Sequence, residues 1–280
     1  MPHISWLLSG VDDWIDCRLP NIRWLDIRFV DIRYLAPTMN TAAKATAMRS
    51  IDIQSTQDSV VKAIQSAIFS GELKLGQRIM EEELAATFQI SRATVREALR
   101  RLEQVGLVQI KPRRGTFVTR LTLKEVERTC RLRAALEGLA ARYASERLTE
   151  NDWHAVKRAV DEMKVAAETG DSTAFLSLDR KFHELIWALA QDDQLEHILR
   201  FLSTPYFAFV ASVSTLLLSD VSKVGRAHEK YLNALRSGDP EQVQKKVQEI
   251  HEGLAVGFMA DLRRAQAAMP GQIFKLEDGD

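Results

Sequence analysis

Residues 81–118 have the sequence EEELAATFQISRATVREALRRLEQVGLVQIKPRRGTFV. Apolar residues at helical spacing predict two short helices with a tight turn between them. Ser91 follows the turn, and its hydroxyl can cap the second helix by accepting a hydrogen bond from a free backbone N–H. Gly106 is placed to end that helix, and apolar segments on either side of the basic loop 111–115 predict a hairpin. The pattern predicts a winged helix-turn-helix, a fold whose natural partner is duplex DNA.

The charge of the chain supports that partner when it is counted locally. The whole chain is neutral, with 38 basic and 38 acidic residues. Residues 91–120 contain eight Lys or Arg and two acidic residues, a net charge of +6 (8 − 2), whereas residues 121–280 contain 21 basic and 25 acidic residues, a net charge of −4 (21 − 25). An arginine-rich helix alone is more often a solvated surface. Together with the turn, the cap and the wing, it indicates a surface that contacts phosphates.

The composition is that of an ordinary globular protein, with 46% hydrophobic and 27% charged residues, and 280 residues are enough for two domains. The two cysteines, Cys17 and Cys130, form no CxxC pair, which indicates a reducing cytoplasm. No segment has the basic leader of a secretory signal. The most apolar stretch, residues 201–218, contains a proline and several hydroxyl groups, so we predict a buried helix pair there and no membrane partner.

The first 50 residues contain a five-residue repeat between positions 21 and 35. A period of five matches neither a helix nor a strand, so no single face collects the apolar side chains. One interpretation is an additional interaction segment. The other, which we favour, is that residues 1–50 are disordered or precede the true start of the protein, at Met39 or Met48.

Residues 121–268 predict helices throughout, and we expect six or seven helices packed in a bundle. Capping boxes that begin at Thr122 and Thr149 mark two helix starts, and apolar residues recur between them every three or four positions. The predicted fold is therefore mainly α. It has a winged helix-turn-helix at residues 55–120, an all-α bundle at 121–268 for ligand binding and dimerisation, and a flexible tail at 269–280.

Four residues of the predicted bundle have side chains that metals accept. Asp179 and His183 lie four positions apart, so both project from one helix face. His228 and His251 belong to two further helices. One carboxylate and three neutral imidazoles, if they converge, make a divalent-metal site with nitrogen and oxygen ligands. Taken singly, each residue is more often a surface or capping residue than a ligand.

Residues 59–118 resemble the DNA-binding domain of the GntR family of bacterial regulators. The resemblance rests on the segments IFSGELKLGQRI, EEELA, SRATVREALRRLEQVGLV and RRGTFV, in that order. The family contacts DNA with the start of the second helix and with the wing, and arginine is well suited to guanine edges and phosphates. The resemblance implies DNA contacts from Ser91, Arg92, Thr94, Arg96, Gly115 and Thr116.

Residues 126–256 resemble the FCD ligand-binding domain of the FadR-type branch of that family, through the segments LRAALEGLAARYA, DRKFHELI and AHEKYLNALRSGDPEQV. The resemblance implies a divalent ion, zinc or a nickel- or manganese-like metal, beside a pocket for a small organic acid. Asp179, His183 and His228 match the family's ligand positions. The last histidine of the family aligns with Ile250, whereas His251 lies one residue later, a rotation of about 100° on an ideal helix. Either the helix shifts its register locally, or the site has only three protein ligands.

Arg133 is implied by the same resemblance to face the pocket, where it can pair with an effector carboxylate. The alternative is an ordinary salt bridge to Glu137, which lies four positions later on the same helix.

The leading functional hypothesis is a cytoplasmic, ligand-responsive transcription regulator, by default a repressor, that binds a pseudo-palindromic operator as a homodimer. In a second hypothesis the metal is itself the signal. A third is a metalloenzyme fused to a DNA-binding module, because metal sites with an open position also activate water. Glu184 adjoins His183 but belongs to a different helix face, and no other general base accompanies the motif. We therefore expect no enzymatic activity and assign no catalytic residue.

Overall fold

The computed structural model of the chain describes residues 53–217 and 222–268. The mainly α fold is confirmed, because helices account for most of these residues and the strands form one small sheet. The predictions for residues 1–50 and for the tail 269–280 lie outside the described residues.

An N-terminal unit, comprising the first six elements, has the order expected of a winged helix-turn-helix. The elements are α1 (Ile53–Phe69), β1 (Arg78–Ile79), α2 (Glu81–Phe88), α3 (Arg92–Gln104), β2 (Val108–Lys111) and β3 (Gly115–Val118). The sheet has the strand order β1-β3-β2, and both pairings are antiparallel. Strand β1 was not predicted, because two residues carry no periodicity of their own.

The core of the N-terminal unit forms where α3 packs against α1. The buried stripe of α3 recurs at helical spacing, at Val95, Ala98, Leu99 and Leu102. It meets buried residues of α1, among them Ile64. Gln89 adopts a left-handed conformation, with φ 55°, in the turn between α2 and α3. The N-terminal unit therefore has an apolar core between α1 and α3, and the polar faces of its helices are exposed to solvent.

The C-terminal bundle contains six helices among the described residues, which agrees with the predicted six or seven. Both capping boxes are confirmed, since the hydroxyls of Thr122 and Thr149 accept from the backbone three residues later and the reciprocal bonds are present. The helices are α4 (Leu123–Arg147), α5 (Glu150–Glu168), α6 (Ser172–Leu189), α7 (Asp193–Leu217), α8 (Ser222–Leu235) and α9 (Pro240–Ala268).

The prediction of a helix pair at residues 201–218 was wrong, because a single helix, α7, continues to Leu217 with Pro205 inside it. A proline within a helix leaves the carbonyl four residues earlier without its usual donor, here the carbonyl of Phe201. Packing on both sides of α7 keeps the helix continuous despite this loss. Of the helices in residues 53–217 and 222–268, none is long and apolar enough to cross a membrane.

Helix α7 is shared by the N-terminal unit and the bundle. Ala208 is 1% exposed and belongs to the apolar core of the N-terminal unit, whereas Phe207 belongs to the core of the bundle. Gly106 approaches the same helix so closely that a Cβ there would lie 2.8 Å from the Phe201 carbonyl oxygen. The two parts of the chain are therefore in direct contact through α7.

Candidate functional site

The first turn of α3 presents polar and basic side chains on the outside of the N-terminal unit. The predicted cap is confirmed, because the Ser91 hydroxyl accepts a hydrogen bond from the Thr94 backbone N–H at 3.1 Å. Arg92 and Arg96 are exposed, and each is paired with a glutamate at the start of α2. The Arg92 pair measures 2.6 Å to Glu82, and Arg96 lies 3.0 Å from Glu81. An anion that binds these arginines must therefore replace a carboxylate.

The wing exposes its basic tip, residues 111–114, rather than the positions that the family resemblance implied. Gly115 has φ +101°, which a glycine adopts without strain, and is half-buried. The Thr116 side chain is only 2% exposed, because alternate residues of β3 face the core. The Thr116 backbone is also enclosed, because β3 is the central strand and Thr116 lies between Ile79 of β1 and Ile110 of β2. The segment GTFV does not alternate in polarity, so this orientation depends on the pairing of the strands.

In the bundle, α6 and α8 bring three of the predicted ligands together. Potential ligand atoms of Asp179, His183 and His228 all lie within 4.8 Å of one another. The Asp179 Oδ1 atom lies 2.9 Å from Nε2 of His228 and 3.8 Å from Nε2 of His183. Because His183 is one helical turn after Asp179, a regular helix is sufficient to place both on the same face.

His251 also reaches this cluster, but it forms a group with His183 and Glu137 rather than with Asp179. The His183 and His251 ring centroids are 5.3 Å apart, and the Nε2 atom of His251 is buried without a hydrogen-bond partner. Helix α9 is an α-helix from Pro240 to Ala268, so His251 approaches His183 and Glu137 without a break in the helix. The cavity beside the cluster is wide enough along α9 that both Ile250 and His251 line it.

Glu137 is the functional residue that sequence reasoning treated only as a partner for Arg133. Its side chain is fully buried on α4, and it accepts hydrogen bonds from Arg133 at 2.9 Å and from the Trp187 indole at 2.9 Å. The His183 Nδ1 atom lies 3.2 Å from the same carboxylate. The feature of the sequence that indicates such a role is an acidic residue within the otherwise apolar segment LRAALEGLAARYA, since a buried charge requires partners.

Hydrogen bonds orient two of the imidazoles toward Asp179. His228 Nδ1 donates to the Val224 carbonyl at 2.8 Å, so its Nε2 is left with the lone pair. His183 Nδ1 likewise faces the Glu137 carboxylate. Outer hydrogen bonds of this kind are typical of histidines that bind metals, because they fix the tautomer and the ring plane. The donor set therefore fits a divalent cation.

The pKa directions describe a cluster rich in negative charge. Burial opposes ionisation of Asp179 and Glu137, but hydrogen bonds and charges from His228 and His183 lower the pKa of both carboxyls below the ordinary value. Burial disfavours the charged form of His228 as well, yet Asp179 raises its pKa. Burial lowers the pKa of His251 to about 3. The His251 imidazole is therefore neutral near pH 7 and able to donate an electron pair.

Arg133 forms the predicted salt bridge, and its position is also compatible with the predicted contact to an effector. It forms the buried salt bridge to Glu137, and it also lines the cavity. Its guanidinium carbon lies 4.6 Å and 4.7 Å from the ring centroids of Tyr206 and Phe207, and its Nε atom is buried without a partner. Glu184, in contrast, pairs with Arg180 at 2.8 Å and does not line the cavity, as its position in the sequence predicted.

The cavity beside the cluster has a volume of about 110 Å³. Helices α4 and α6–α9 all contribute to its wall, which therefore consists entirely of the bundle. Its polar lining residues are Arg133, Asp179, His183, Tyr206, His228, Tyr231 and His251. A small ligand bound there lies within reach of a carboxylate, an arginine, three imidazoles and two phenols.

Comparisons with known proteins agree with this architecture. A family model described as FCD domain matches residues 128–252, and one described as bacterial regulatory proteins, gntR family, matches residues 56–118. The uncharacterized HTH-type transcriptional regulator YdhC of Bacillus subtilis is 34% identical over 137 residues, which are 49% of this chain and 61% of that protein. The probable D-xylose utilization operon transcriptional repressor of Paenarthrobacter nicotinovorans is 32% identical over 179 residues, 62% of this chain and 76% of that protein. The solved structure of E. coli McbR/YncC shares the fold, with a TM-score of 0.63 and 22% identity over 73% of this chain and 98% of that chain.

Proposed function

Because the chain belongs to the gntR family of bacterial transcriptional regulators and carries an FCD domain, we propose that it is a repressor whose DNA affinity is set by a small carboxylate in the cavity of its C-terminal bundle. One observation carries this proposal. Helix α7 lines the cavity with Phe207 and places the next residue, Ala208, in the core of the N-terminal unit. A ligand that prefers one position of α7 therefore changes the population of DNA-binding arrangements.

The proposed DNA contacts come from the start of α3 and from the wing. Arg92 and Arg96 are the exposed cations of α3 nearest its N-terminus, where free backbone amides also attract phosphate. Ser91 and Thr94 add hydroxyl groups at the same end. In the wing, the proposed contacts come from the backbone of Gly115 and from the charge of the exposed basic tip, whereas the burial of Thr116 argues against a direct contact from that residue.

We also propose a divalent cation, zinc or a nickel- or manganese-like ion, bound by Asp179, His183 and His228, with His251 as the fourth ligand. The supporting observations are the oriented Nε2 atoms of His183 and His228 and the unpartnered Nε2 of His251. A buried nitrogen without a partner is unfavourable unless another group accepts its lone pair. When bound, the ion supplies a coordination position for the effector carboxylate, and Arg133 supplies the second charge that orients it.

A homodimer would provide two α3 helices for successive major grooves of a pseudo-palindromic operator. The support from this chain is a set of large apolar side chains on α4 and α7 that are about half exposed. They are Leu132, Ile198 and Phe201. A second copy that covers this surface would remove apolar area from water.

The test of this proposal uses the full-length protein and fragments of genomic DNA. Fragments that the protein retains are sequenced, and the recovered operator is titrated by fluorescence anisotropy with carboxylates, with a chelator, and with both. We expect a carboxylate to weaken operator binding at least about tenfold, and the chelator to abolish that response. Chelation that changes DNA affinity on its own, with no response to any carboxylate, would establish the metal as the signal. Recovery of no specific operator would contradict the proposal altogether.

A further inference from the structure

The cavity in the bundle changes from polar to apolar along the bundle axis. On α9, Leu254 and Phe258 follow His251 by one and two helical turns. On α6, Leu176 precedes Asp179 by about one turn. Successive helices joined by short connections run antiparallel, so positions late in α9 and early in α6 lie toward the same end. One end of the cavity is therefore formed by ionisable groups, and the other is formed mainly by hydrocarbon, with the Tyr206 ring and the Cys130 thiol beside it.

Packing of the apolar lining confirms that it forms one surface. Val210, a buried residue of α7, belongs to the same apolar cluster as Leu176, Ala255 and Phe258. That cluster also includes Cys130 from α4, which lines the cavity one turn before Arg133. No charged residue lines this end of the cavity, whose wall lies wholly within the part of the chain that the structure describes.

Unpartnered polar atoms are confined to the opposite end. Among the described residues that line the cavity, the buried side-chain atoms without a hydrogen-bond partner are Arg133 Nε, Tyr231 OH and His251 Nε2. Tyr231 is 2% exposed, and its hydroxyl can donate one hydrogen bond. The proposed cation accounts for His251 Nε2, so Arg133 Nε and Tyr231 OH call for a ligand with polar atoms at one end only.

From this distribution we propose that the effector is a short monocarboxylic acid with an unsubstituted hydrocarbon tail. The carboxylate lies near Arg133 and Tyr231, and the tail lies against Val210, Leu254 and Phe258. The inference rests on the proposed carboxylate effector and restricts its chemical class. A second carboxylate, or the hydroxyls of a sugar acid, would enter the apolar end without partners and at considerable cost.

The cavity volume sets the length of the tail. An engineered apolar cavity of about 150 Å³ holds benzene, which has six heavy atoms. A cavity of about 110 Å³ therefore suits an acid with a similar or slightly smaller number of heavy atoms. Pentanoate, with seven heavy atoms, tests the upper limit, and acetate tests the carboxylate alone.

Isothermal titration calorimetry on the full-length protein, supplied with Zn²⁺, can compare three acids of equal heavy-atom count: pentanoate, the dicarboxylate malonate and the hydroxylated acid glycerate. We expect pentanoate to bind more tightly than acetate by roughly fourfold per added methylene that the cavity accommodates. We expect malonate and glycerate to bind at least about 100-fold more weakly than pentanoate. Binding of malonate or glycerate as tight as that of pentanoate overturns the inference and leaves the carboxylate effector intact. Absence of binding by every acid, acetate included, overturns both.

The variant Val210→Thr has nearly the same shape and places a hydroxyl at the apolar end. We expect it to weaken pentanoate about three- to tenfold and to leave acetate within about twofold. Val256→Thr is the matched control, because Val256 is 73% exposed on α9 and lies outside the cavity. An equal loss for acetate and pentanoate in Val210→Thr would contradict the placement of the tail. The acid series on the unaltered protein decides the inference even if this variant is unstable.

Discussion

The charged side chains of the two proposed binding sites already have partners within the protein, which a ligand must replace. Arg92 and Arg96 are each paired with a glutamate at the start of α2, and these exposed pairs contribute little to stability. Replacing these glutamates with DNA phosphates or base edges therefore costs little free energy. Asp179 is different, because it is buried and its Oδ1 atom lies 2.9 Å from Nε2 of His228 and 3.8 Å from Nε2 of His183.

Removal of Arg96 should weaken DNA binding without unfolding the protein. We expect Arg96→Ala, and separately Arg92→Ala, to lower operator affinity by about 5- to 150-fold, the loss of roughly 1–3 kcal/mol expected for a good arginine contact. Fluorescence anisotropy provides the measurement. Arg158→Ala is the matched control, since Arg158 is an exposed arginine on α5. Unchanged affinity in both α3 variants would remove α3 from the proposed DNA contacts.

Removal of Asp179 should reduce bound metal and thermal stability together. A metal that binds only the folded state stabilises it by mass action, by about 2.7 kcal/mol at a concentration 100 times Kd. We expect Asp179→Ala to lose metal in elemental analysis and to lose the rise in Tm that added metal causes. The control is Asp161→Ala, an exposed carboxylate paired with Lys157. Full metal content in Asp179→Ala would show that the cluster is not the metal site.

At the scale of the element, α7 is the helix that packs against both the N-terminal unit and the rest of the bundle. Its Pro205 leaves the Phe201 carbonyl without a helical donor, and that carbonyl faces the turn at Gly106. Gly106 has φ +70°, and the absence of a side chain permits this close approach. One part of the contact between α7 and the N-terminal unit, the approach of the Phe201 carbonyl, thus depends on Gly106.

Gly106→Ala should destabilise the protein through this contact. An alanine at positive φ costs about 1–2 kcal/mol by itself. Its Cβ would also meet the Phe201 oxygen at 2.8 Å, so we expect a further cost of about 1–3 kcal/mol. Gly71→Ala is the control, because Gly71 has φ +79° and nothing within 4 Å of the added Cβ. The free energy of unfolding is measured in urea for both variants. Equal losses in Gly106→Ala and Gly71→Ala would show that the contact between Gly106 and the Phe201 carbonyl is not tight.

Elements with strong local patterns were predictable, and those that depend on tertiary contacts were not. The cap at Ser91 and the two capping boxes follow from hydroxyls and acids three residues apart, which require no distant partner. Strand β1 exists only because β3 pairs with it, and α7 remains one helix because packing outweighs the proline. Similarly, the sequence indicated Asp179 and His183 by their spacing, but the position of Glu137 behind His183 depends on how α4 packs on α6.

At the scale of the whole molecule, the proposed dimer makes a geometric prediction about its operator. Two α3 helices should contact half-sites about one helical turn apart. Insertion of ~5 base pairs between the half-sites should abolish high-affinity binding, and insertion of ~10 should restore part of it. Electrophoretic mobility shift can compare the three operators at equal salt concentration. If the affinity is the same for all three operators, each copy of the protein binds DNA independently.

The burial of Ala208 in the core of the N-terminal unit has a consequence for recombination between regulators. A gene fusion that joins this N-terminal unit to an unrelated sensor would also remove the surface of α7 that completes its core. Such a chimera needs a small residue at the equivalent of Ala208 and room at the equivalent of Gly106. During evolution, exchange of whole DNA-binding units among relatives is therefore easiest between chains that already share these two positions, whatever ligands their cavities accept.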